Sequence, residues 1–291
     1  MNKRKGILLA GGTGSRLYPL TNCTSKQLLP VFDKPMIYYP LTTLMEADIR
    51  HILLISSKEY LPLFKNLLGD GNNLGIEIDY ILQEKPLGIA HAFLLASNFL
   101  QGSPSALILG DNLFFGENLN QKLLRSSFNF NKSTIFSFKV KDPSRYGVVT
   151  YNSELKVTNI EEKPNNPKSN SAVTGLYFYD ENVVEKARML TPSKRGELEI
   201  TDLNNLYIKD GLLEVEQMES GSAWFDTGTF ESLHEASSFI RSMQNRQVFR
   251  IGCPEETAWR KKWINDEELY KLSLPLLQSG YGSYLMRLLN K

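Results

Sequence analysis

The chain has 291 residues, of which 42% are hydrophobic and 22% charged, the balance of a globular protein with enough apolar surface for one extensive core or two smaller ones. That composition excludes disorder and fibre. With 33 Lys and Arg against 32 Asp and Glu, the formal charge is +1, so no overall field favours nucleic acid or an anionic membrane, and any anion must be bound by a local site.

The basic opening from Met1 to Lys5 has the charge of a signal peptide, but the apolar run behind it, Ile7 to Ala10, stops at Gly11-Gly12 and is too short for an h-region. No later stretch approaches the roughly 20 apolar residues of a membrane span. Cys23 and Cys253 lie far apart without metal-ligand spacing, so reduced thiols in a cytoplasmic protein are expected. Lys5 to Ala10 is predicted as the first strand. Met36 to Ala47 follows as a helix kinked at Pro40, then Ile52 to Ser56 as a strand. Glu59 to Leu68 is helical, Gly75 to Leu82 alternates as a strand, Ile89 to Leu100 returns to helical spacing, and Ala106 to Leu109 is a buried strand ending at Gly110-Asp111. This rhythm is that of an α/β sheet.

Beyond about residue 130 the rhythm changes. Thr134 to Val140, Gly147 to Tyr151, Leu155 to Ile160 and Val173 to Tyr179 are strands with little helix between them, which implies antiparallel additions to the sheet. Val183 to Leu190, Ile200 to Lys209 and Phe230 to Met243 are helical, with Leu213 to Met218 a strand, and Lys163 to Asn170 is a surface loop. The tail is helical over Glu255 to Trp263, Asp266 to Leu272 and Tyr281 to Leu289. No internal repeat is present, and no hexapeptide period that would build a β-helix.

The strongest chemical signal is Gly11-Gly12-Thr13-Gly14-Ser15-Arg16, directly behind the first strand, where backbone amides without bulky side chains can wrap a phosphate. It lacks the Gly-Lys-Ser/Thr of a Walker loop and the third glycine of a dinucleotide fingerprint, and three glycines also suit a plain tight turn. The continuation decides for phosphate: Pro19, Thr21 and Ser25-Lys26-Gln27-Leu28-Leu29-Pro30 follow, so two cations, Arg16 and Lys26, accompany the glycines. A polyphosphate needs such cations, Arg16 for bidentate grip and Lys26 for charge that moves to a leaving pyrophosphate.

With these residues the sequence resembles the sugar-1-phosphate nucleotidylyltransferases, and most closely the glucose-1-phosphate thymidylyltransferases. The likeness continues through Lys34-Pro35-Met36, Leu109-Gly110-Asp111-Asn112, Arg145-Tyr146-Gly147, Glu161-Glu162-Lys163-Pro164, Val173-Thr174-Gly175, Arg195-Gly196-Glu197 and Trp224-Phe225-Asp226-Thr227-Gly228. It covers essentially the whole chain, with Ser15 standing where the pattern usually has Thr. The fold it implies is a three-layer, Rossmann-like core with a mixed, mainly parallel sheet and a helical C-terminal appendage. Residues 1–245 would be catalytic, with a nucleotide part to about 130 and a sugar part from 131 to 230; residues 246–291 would lie at subunit contacts.

The resemblance also assigns roles. Asp111 and Asp226 would bind Mg²⁺, an ion that takes one or two carboxylates and fills its shell with water and phosphate; taken singly, either carboxylate also suits a turn cap. Gly11, Gly12, Gly14, Ser15, Arg16, Lys26, Gln27 and Asn112 would contact substrate, and Gln83 and Gly88 the base, because an amide matches an imide edge such as that of thymine or uracil. Glu162 would take sugar hydroxyls and Lys163 the sugar phosphate, with Tyr146, Gly147 and Val173 completing the pocket. Arg195 either reaches the sugar phosphate or caps the next helix.

The implied reaction joins dTTP and α-D-glucose 1-phosphate to give dTDP-glucose and pyrophosphate, the first step of dTDP-rhamnose synthesis. A phosphate monoester, with a second pKa of ~6, is already ionised at neutral pH, so no general base is needed. The three histidines, His51, His91 and His234, fall outside every motif. Relatives of this kind are homotetramers inhibited by dTDP-rhamnose, here at a second site of Phe115, Gly116, Cys253, Glu256 and Arg260; no nucleic acid or membrane partner is expected. The alternatives are another sugar-1-phosphate nucleotidylyltransferase, such as a UDP-glucose pyrophosphorylase, or a non-catalytic sugar-nucleotide sensor.

Overall fold

A computed structural model of the protein describes residues 3–154 and 156–290. Met1, Asn2, Leu155 and Lys291 lie outside the described residues, and with them the start of the basic N-terminal run and of the strand expected from Leu155.

The first half contains β1 (Lys5–Leu9), a short hairpin of β2 (Pro30–Val31) and β3 (Lys34–Pro35), α1 (Tyr38–Glu46), β4 (His51–Ser56), α2 (Leu61–Leu68) and β5 (Glu77–Leu82). Pro40 falls in the first turn of α1, where its missing N–H breaks no helical bond, so the expected kink has no cause. The helix expected from Ile89 to Leu100 is interrupted at Ala96 into α3 (His91–Leu95) and α4 (Ser97–Leu100). After β6 (Ser105–Leu109) come β7 (Asn112–Phe115) and α5 (Leu119–Phe128), where the sequence suggested no element. The inner face of α5 carries Leu119 and Leu123 one turn apart, but buried Ser126 and Ser127 take over in its second half, so the apolar stripe is short.

The second half runs β8 (Ser133–Lys139), β9 (Gly147–Tyr151), β10 (Val157–Glu162), β11 (Ser171–Tyr179), α6 (Val183–Arg188), α7 (Ile200–Lys209), β12 (Leu213–Gln217), β13 (Ala223–Asp226) and α8 (Phe230–Arg246). The tail forms α9 (Pro254–Arg260), α10 (Asp266–Ser273) and α11 (Gly280–Leu289). Reciprocal caps set two of these starts, Thr229 with Ser232 for α8 and Asn265 with Glu268 for α10.

Among the described residues, nine strands form the central sheet in the order β10-β9-β11-β6-β1-β4-β5, with β8 on the other edge of β11 and β12 beyond it. The middle of this mixed sheet, β6-β1-β4-β5, is parallel. Because β1 is followed to one side by β4 and flanked on the other by β6, the chain direction switches at the carboxyl end of β1, the place where open α/β sheets bind ligands. A second opening lies along β11. Its Leu176 to Tyr179 pair with β6, while on the same edge Ala172 pairs with Val148 of β9, so β6 and β9 splay apart around Val173 to Gly175.

The sheet is covered on both faces, and its strands alternate between two cores. Leu8, Ile52, Leu54, Ile108 and Phe178 face α1, α2 and α5, while Ile7, Leu53, Leu107, Tyr177 and Tyr179 face α3, α6 and α7. The first core runs on into the tail through Cys253, Ala258, Leu269, Tyr281, Leu285 and Leu288. Trp259 and Trp263 pack against it partly buried, whereas Tyr270 stays 44% exposed.

Candidate functional site

The glycine segment leaves β1 at the switch point and turns through left-handed backbone at Gly12 and Gly14, with φ of 98° and 63°. Thr21 Oγ1 donates to the Gly14 carbonyl at 2.8 Å, and the turn closes into a short helix over Ser15–Leu17. Gln27 is buried and its Nε2 donates to the Gly11 carbonyl at 3.4 Å, so it braces the loop from below. Gln83 lies across the other side: a Cβ on Gly11 would stand 2.1 Å from its Oε1. The close backbone approach at Gly88 is made within the chain, by Leu198, whose N–H donates to the Leu87 carbonyl at 2.8 Å.

Asp111 follows β6, and Asp226 is the last residue of β13. The β7–β13 ladder pairs Asp226 with Asn112, and Thr227 clamps the Asp111 carbonyl with its N–H at 3.1 Å and its hydroxyl at 2.8 Å. Two carboxylates more than a hundred residues apart are thereby set side by side. Burial alone would raise the Asp111 carboxyl, but the Lys26 ammonium that pairs with it and the Asn112 amide hold it below the usual carboxylate range. Asp226 moves the other way, raised by burial and by the Asp111 charge against the opposing pull of Lys26, Arg16 and Arg145. Crowded oxygen donors of this kind suit a hard divalent cation, whose charge relieves their repulsion.

Asn112 is largely consumed by this scaffold. Its Oδ1 accepts from Gly175 N–H at 3.1 Å and Trp224 Nε1 at 2.6 Å, and its Nδ2 donates to Asp111 at 3.1 Å. Arg16 reaches the same corner, since a Cβ on Gly228 would stand 2.6 Å from its guanidinium and 3.1 Å from Asp226 Oδ1.

Both carboxylates open into a cleft of about 310 Å³ at the splay of β6 and β9. Its walls bring together Arg16, Asn112, Tyr146, Gly147, Glu162, Lys163 and Val173 of the expected set. Glu162 ends β10 opposite Gly147 and accepts from Thr201 Oγ1 at 2.6 Å; Lys163, in left-handed backbone at φ 45°, lies 3.5 Å from it. The indole of Trp224 stands 5.0 Å from the Tyr146 ring. Gly11, Gly12, Gly14, Ser15, Gln27, Gln83 and Gly88 belong to the neighbouring loop region, with Lys26 joined to the cleft through Asp111. Arg195 is outside the cleft lining: its guanidinium donates to the carboxylate of Glu199, the residue before α7, at 2.8 and 2.9 Å, and lies 3.6 Å from Glu162. Sequence reasoning did not assign Arg145, Thr201 or Trp224 to the site, because each becomes a wall only through the pairing of β9, β10 and β13.

A separate cavity of about 660 Å³ lies between the tail and the main body, and Phe115, Gly116, Cys253, Glu256 and Arg260 all line it. Cys23 and Cys253 are both free thiols, and no helix among the described residues is long and apolar enough to cross a membrane.

The family model described as nucleotidyl transferase matches residues 5–243. The glucose-1-phosphate thymidylyltransferase of Neisseria meningitidis serogroup A is 52% identical over 287 residues, covering 99% of this chain and 100% of that protein. The enzyme of the same name from Mycobacterium tuberculosis strain H37Rv is 51% identical, covering 99% of each. Among solved structures, a protein assigned as a glucose-1-phosphate thymidylyltransferase from Bacillus anthracis, in complex with sucrose, superimposes with a TM-score of 0.76 at 42% identity, covering 82% of this chain and 95% of that one. A UDP-glucose pyrophosphorylase complexed with UDP-glucose gives 0.72 at 25% identity, covering 84% and 100%.

Proposed function

The chain belongs to the nucleotidyl transferase family, among the glucose-1-phosphate thymidylyltransferases, and from that premise we propose that it converts dTTP and α-D-glucose 1-phosphate into dTDP-glucose and pyrophosphate. The observation that carries this reading is the meeting of Asp111 and Asp226 in one cleft beside the glycine loop.

In this reading an oxygen of the sugar phosphate attacks the α-phosphorus in line, the new P–O bond forms, and the bond to the β-phosphate oxygen breaks to release pyrophosphate. Both reactants are anions, so the protein's task is to align and neutralise charge. The glycine-loop amides and Arg16 hold the triphosphate, Lys26 follows charge onto the leaving pyrophosphate, and Lys163 takes the sugar phosphate. Glu162 and the main chain at Gly147 and Val173 take sugar hydroxyls, and Gln83 reads the imide edge of the base. Asp111 and Asp226 hold Mg²⁺, which supplies Lewis-acid stabilisation of phosphate charge when bound. The family's use of a divalent metal and the all-oxygen donor pair support this assignment.

The cavity beneath the tail would bind a nucleotide-sugar end product, dTDP-rhamnose, as a feedback inhibitor, and the tail would sit at the contacts of a homotetramer. Convergence of the five expected residues on one cavity supports the first reading, and the exposure of Tyr270, Leu274 and Leu277 supports the second. The main reading is tested by pyrophosphate release, crossing dTTP, UTP, ATP and GTP with several hexose 1-phosphates, with and without Mg²⁺. The dTTP and glucose 1-phosphate pair should be fastest and Mg²⁺-dependent. Normal turnover by both Asp111→Asn and Asp226→Asn would overturn the metal assignment.

A further inference from the structure

Three cations around the cleft stand beside carboxylates, whereas Arg16 of the glycine loop, among the described residues, has no ion pair. Lys26 pairs with Asp111, Arg195 is shared among Glu199, Glu197 and Glu162, and Lys163 stands against Glu162. Arg145 also lines the cleft, yet among the described residues no carboxylate lies within ion-pair distance of it and no hydrogen bond holds its guanidinium. Its charge still bears on Asp226 and on the Tyr146 hydroxyl.

The backbone beneath this free side chain is rigid. Arg145 ends the short helical turn Pro143–Arg145, whose N-cap Asp142 accepts from Ser144 N–H at 3.3 Å and whose first position is a buried proline. The Tyr146 N–H then returns to the Pro143 carbonyl at 3.1 Å, and Lys163 N–H donates to the Tyr146 carbonyl at 3.0 Å. The guanidinium carbon lies 5.7 Å from the centre of the Tyr146 ring. A fixed root with a free, arginine-specific fork is the arrangement that recognises a phosphate dianion arriving from solution.

Its position decides which phosphate. Arg16 approaches Asp226 from the glycine loop, on the nucleotide side, whereas Arg145 directly precedes Tyr146 and Gly147, on the wall shared with Glu162 and Lys163. We propose that Arg145 is a further catalytic residue, whose guanidinium binds the phosphate of the incoming hexose 1-phosphate and brings it to the α-phosphorus held beside Asp226. In this assignment Arg16 and Arg145, whose charges both bear on Asp226, serve one anion each. The assignment rests on the nucleotidyl-transfer reading given above.

Steady-state kinetics of Arg145→Ala, Arg145→Lys and the unaltered enzyme test it, with circular dichroism and thermal melts as a check on folding. The alanine variant should raise KM for glucose 1-phosphate about tenfold or more while KM for dTTP stays within about twofold. Lysine should recover only part of the loss, and millimolar guanidinium should partly restore the alanine variant, a response that a purely structural defect would not give. An unchanged KM for glucose 1-phosphate, an equal or larger rise in KM for dTTP, or no guanidinium response would overturn the proposal. If the unaltered enzyme released no pyrophosphate from any substrate pair, the underlying reading would fail instead.

Discussion

The backbone of Leu198 crosses Gly88 so closely that a Cβ on Gly88 would stand 2.3 Å from the Leu198 carbonyl oxygen and 2.6 Å from its amide nitrogen. Gly88 also holds left-handed backbone at φ 101°. This crossing ties the loop beside Gln83 to the start of α7, since Leu198 N–H donates to Leu87 and its carbonyl accepts from Ala90 N–H at 3.2 Å. Gly88→Ala should therefore cost roughly 2 to 4 kcal/mol from strain and clash together, read as a lower urea midpoint with an unchanged slope. A variant as stable as the parent would show that the crossing is not tight.

The crowding of Asp111 and Asp226 sets stability against function. In the absence of a divalent cation, Asp226→Asn removes one of two like charges from a buried corner and should raise the melting temperature. With cation and both substrates, the same variant should lose at least about a hundredfold in turnover. The melting-temperature gain that Mg²⁺ gives the parent should shrink in the variant, as linkage requires when affinity falls. Equal Mg²⁺ stabilisation of parent and variant would contradict the pairing.

Lys34 lies sealed under the tail, where its Nζ donates to the Ile251 carbonyl at 3.0 Å and to Asp33 at 2.5 Å, and burial pushes its ammonium down to about 8. The unfolded chain keeps that proton up to an ordinary lysine value, so between pH 8 and 10.5 the unfolded state binds more protons. The cost of burying the charge is therefore full below pH 8 and fades as pH rises through that window. Relative to Lys34→Met, the parent should gain up to roughly 3 kcal/mol between the two ends, seen in urea unfolding at each pH. Parallel profiles would rule this out.

Selection of thymine over uracil rests on a single methyl group, worth only ~1 to 3 kcal/mol. The kcat/KM ratio of dTTP to dUTP should lie between about 10 and 200. A preference beyond roughly a thousandfold would require a polar discriminator that the methyl account lacks.

Arg260 pairs with Glu256 at 2.8 Å on the wall of the cavity beneath the tail, and its side chain is 58% exposed. Under the feedback reading proposed above, Arg260→Ala should leave uninhibited turnover unchanged while weakening dTDP-rhamnose inhibition about tenfold, measured with both substrates saturating. Undiminished inhibition would place the inhibitor elsewhere.

Local pattern made much of this protein legible. The parallel strands announce themselves as short apolar runs, α7 begins and ends where its period predicts, and the glycine loop with Arg16 and Lys26 follows from the chemistry of phosphate. α5 stayed hidden because Ser126 and Ser127 share its inner face with only Leu119 and Leu123, and β7 and β13 because four-residue strands have too little alternation to show. Gln27, Asn112 and Arg195 look in sequence like groups aimed at a ligand, yet their hydrogen bonds are spent largely within the protein.

By itself, then, the sequence determined the α/β class, the glycine turn behind the first strand and the inventory of charged groups, because each depends on residues close together in the chain. Tertiary structure alone decided which of those groups share a space. The side-by-side placement of Asp111 and Asp226 comes from an antiparallel ladder joining segments more than a hundred residues apart, and the cleft opens where β6 and β9 part company along β11. Such pairings are selected by the closing of the whole core, which no local window of sequence contains.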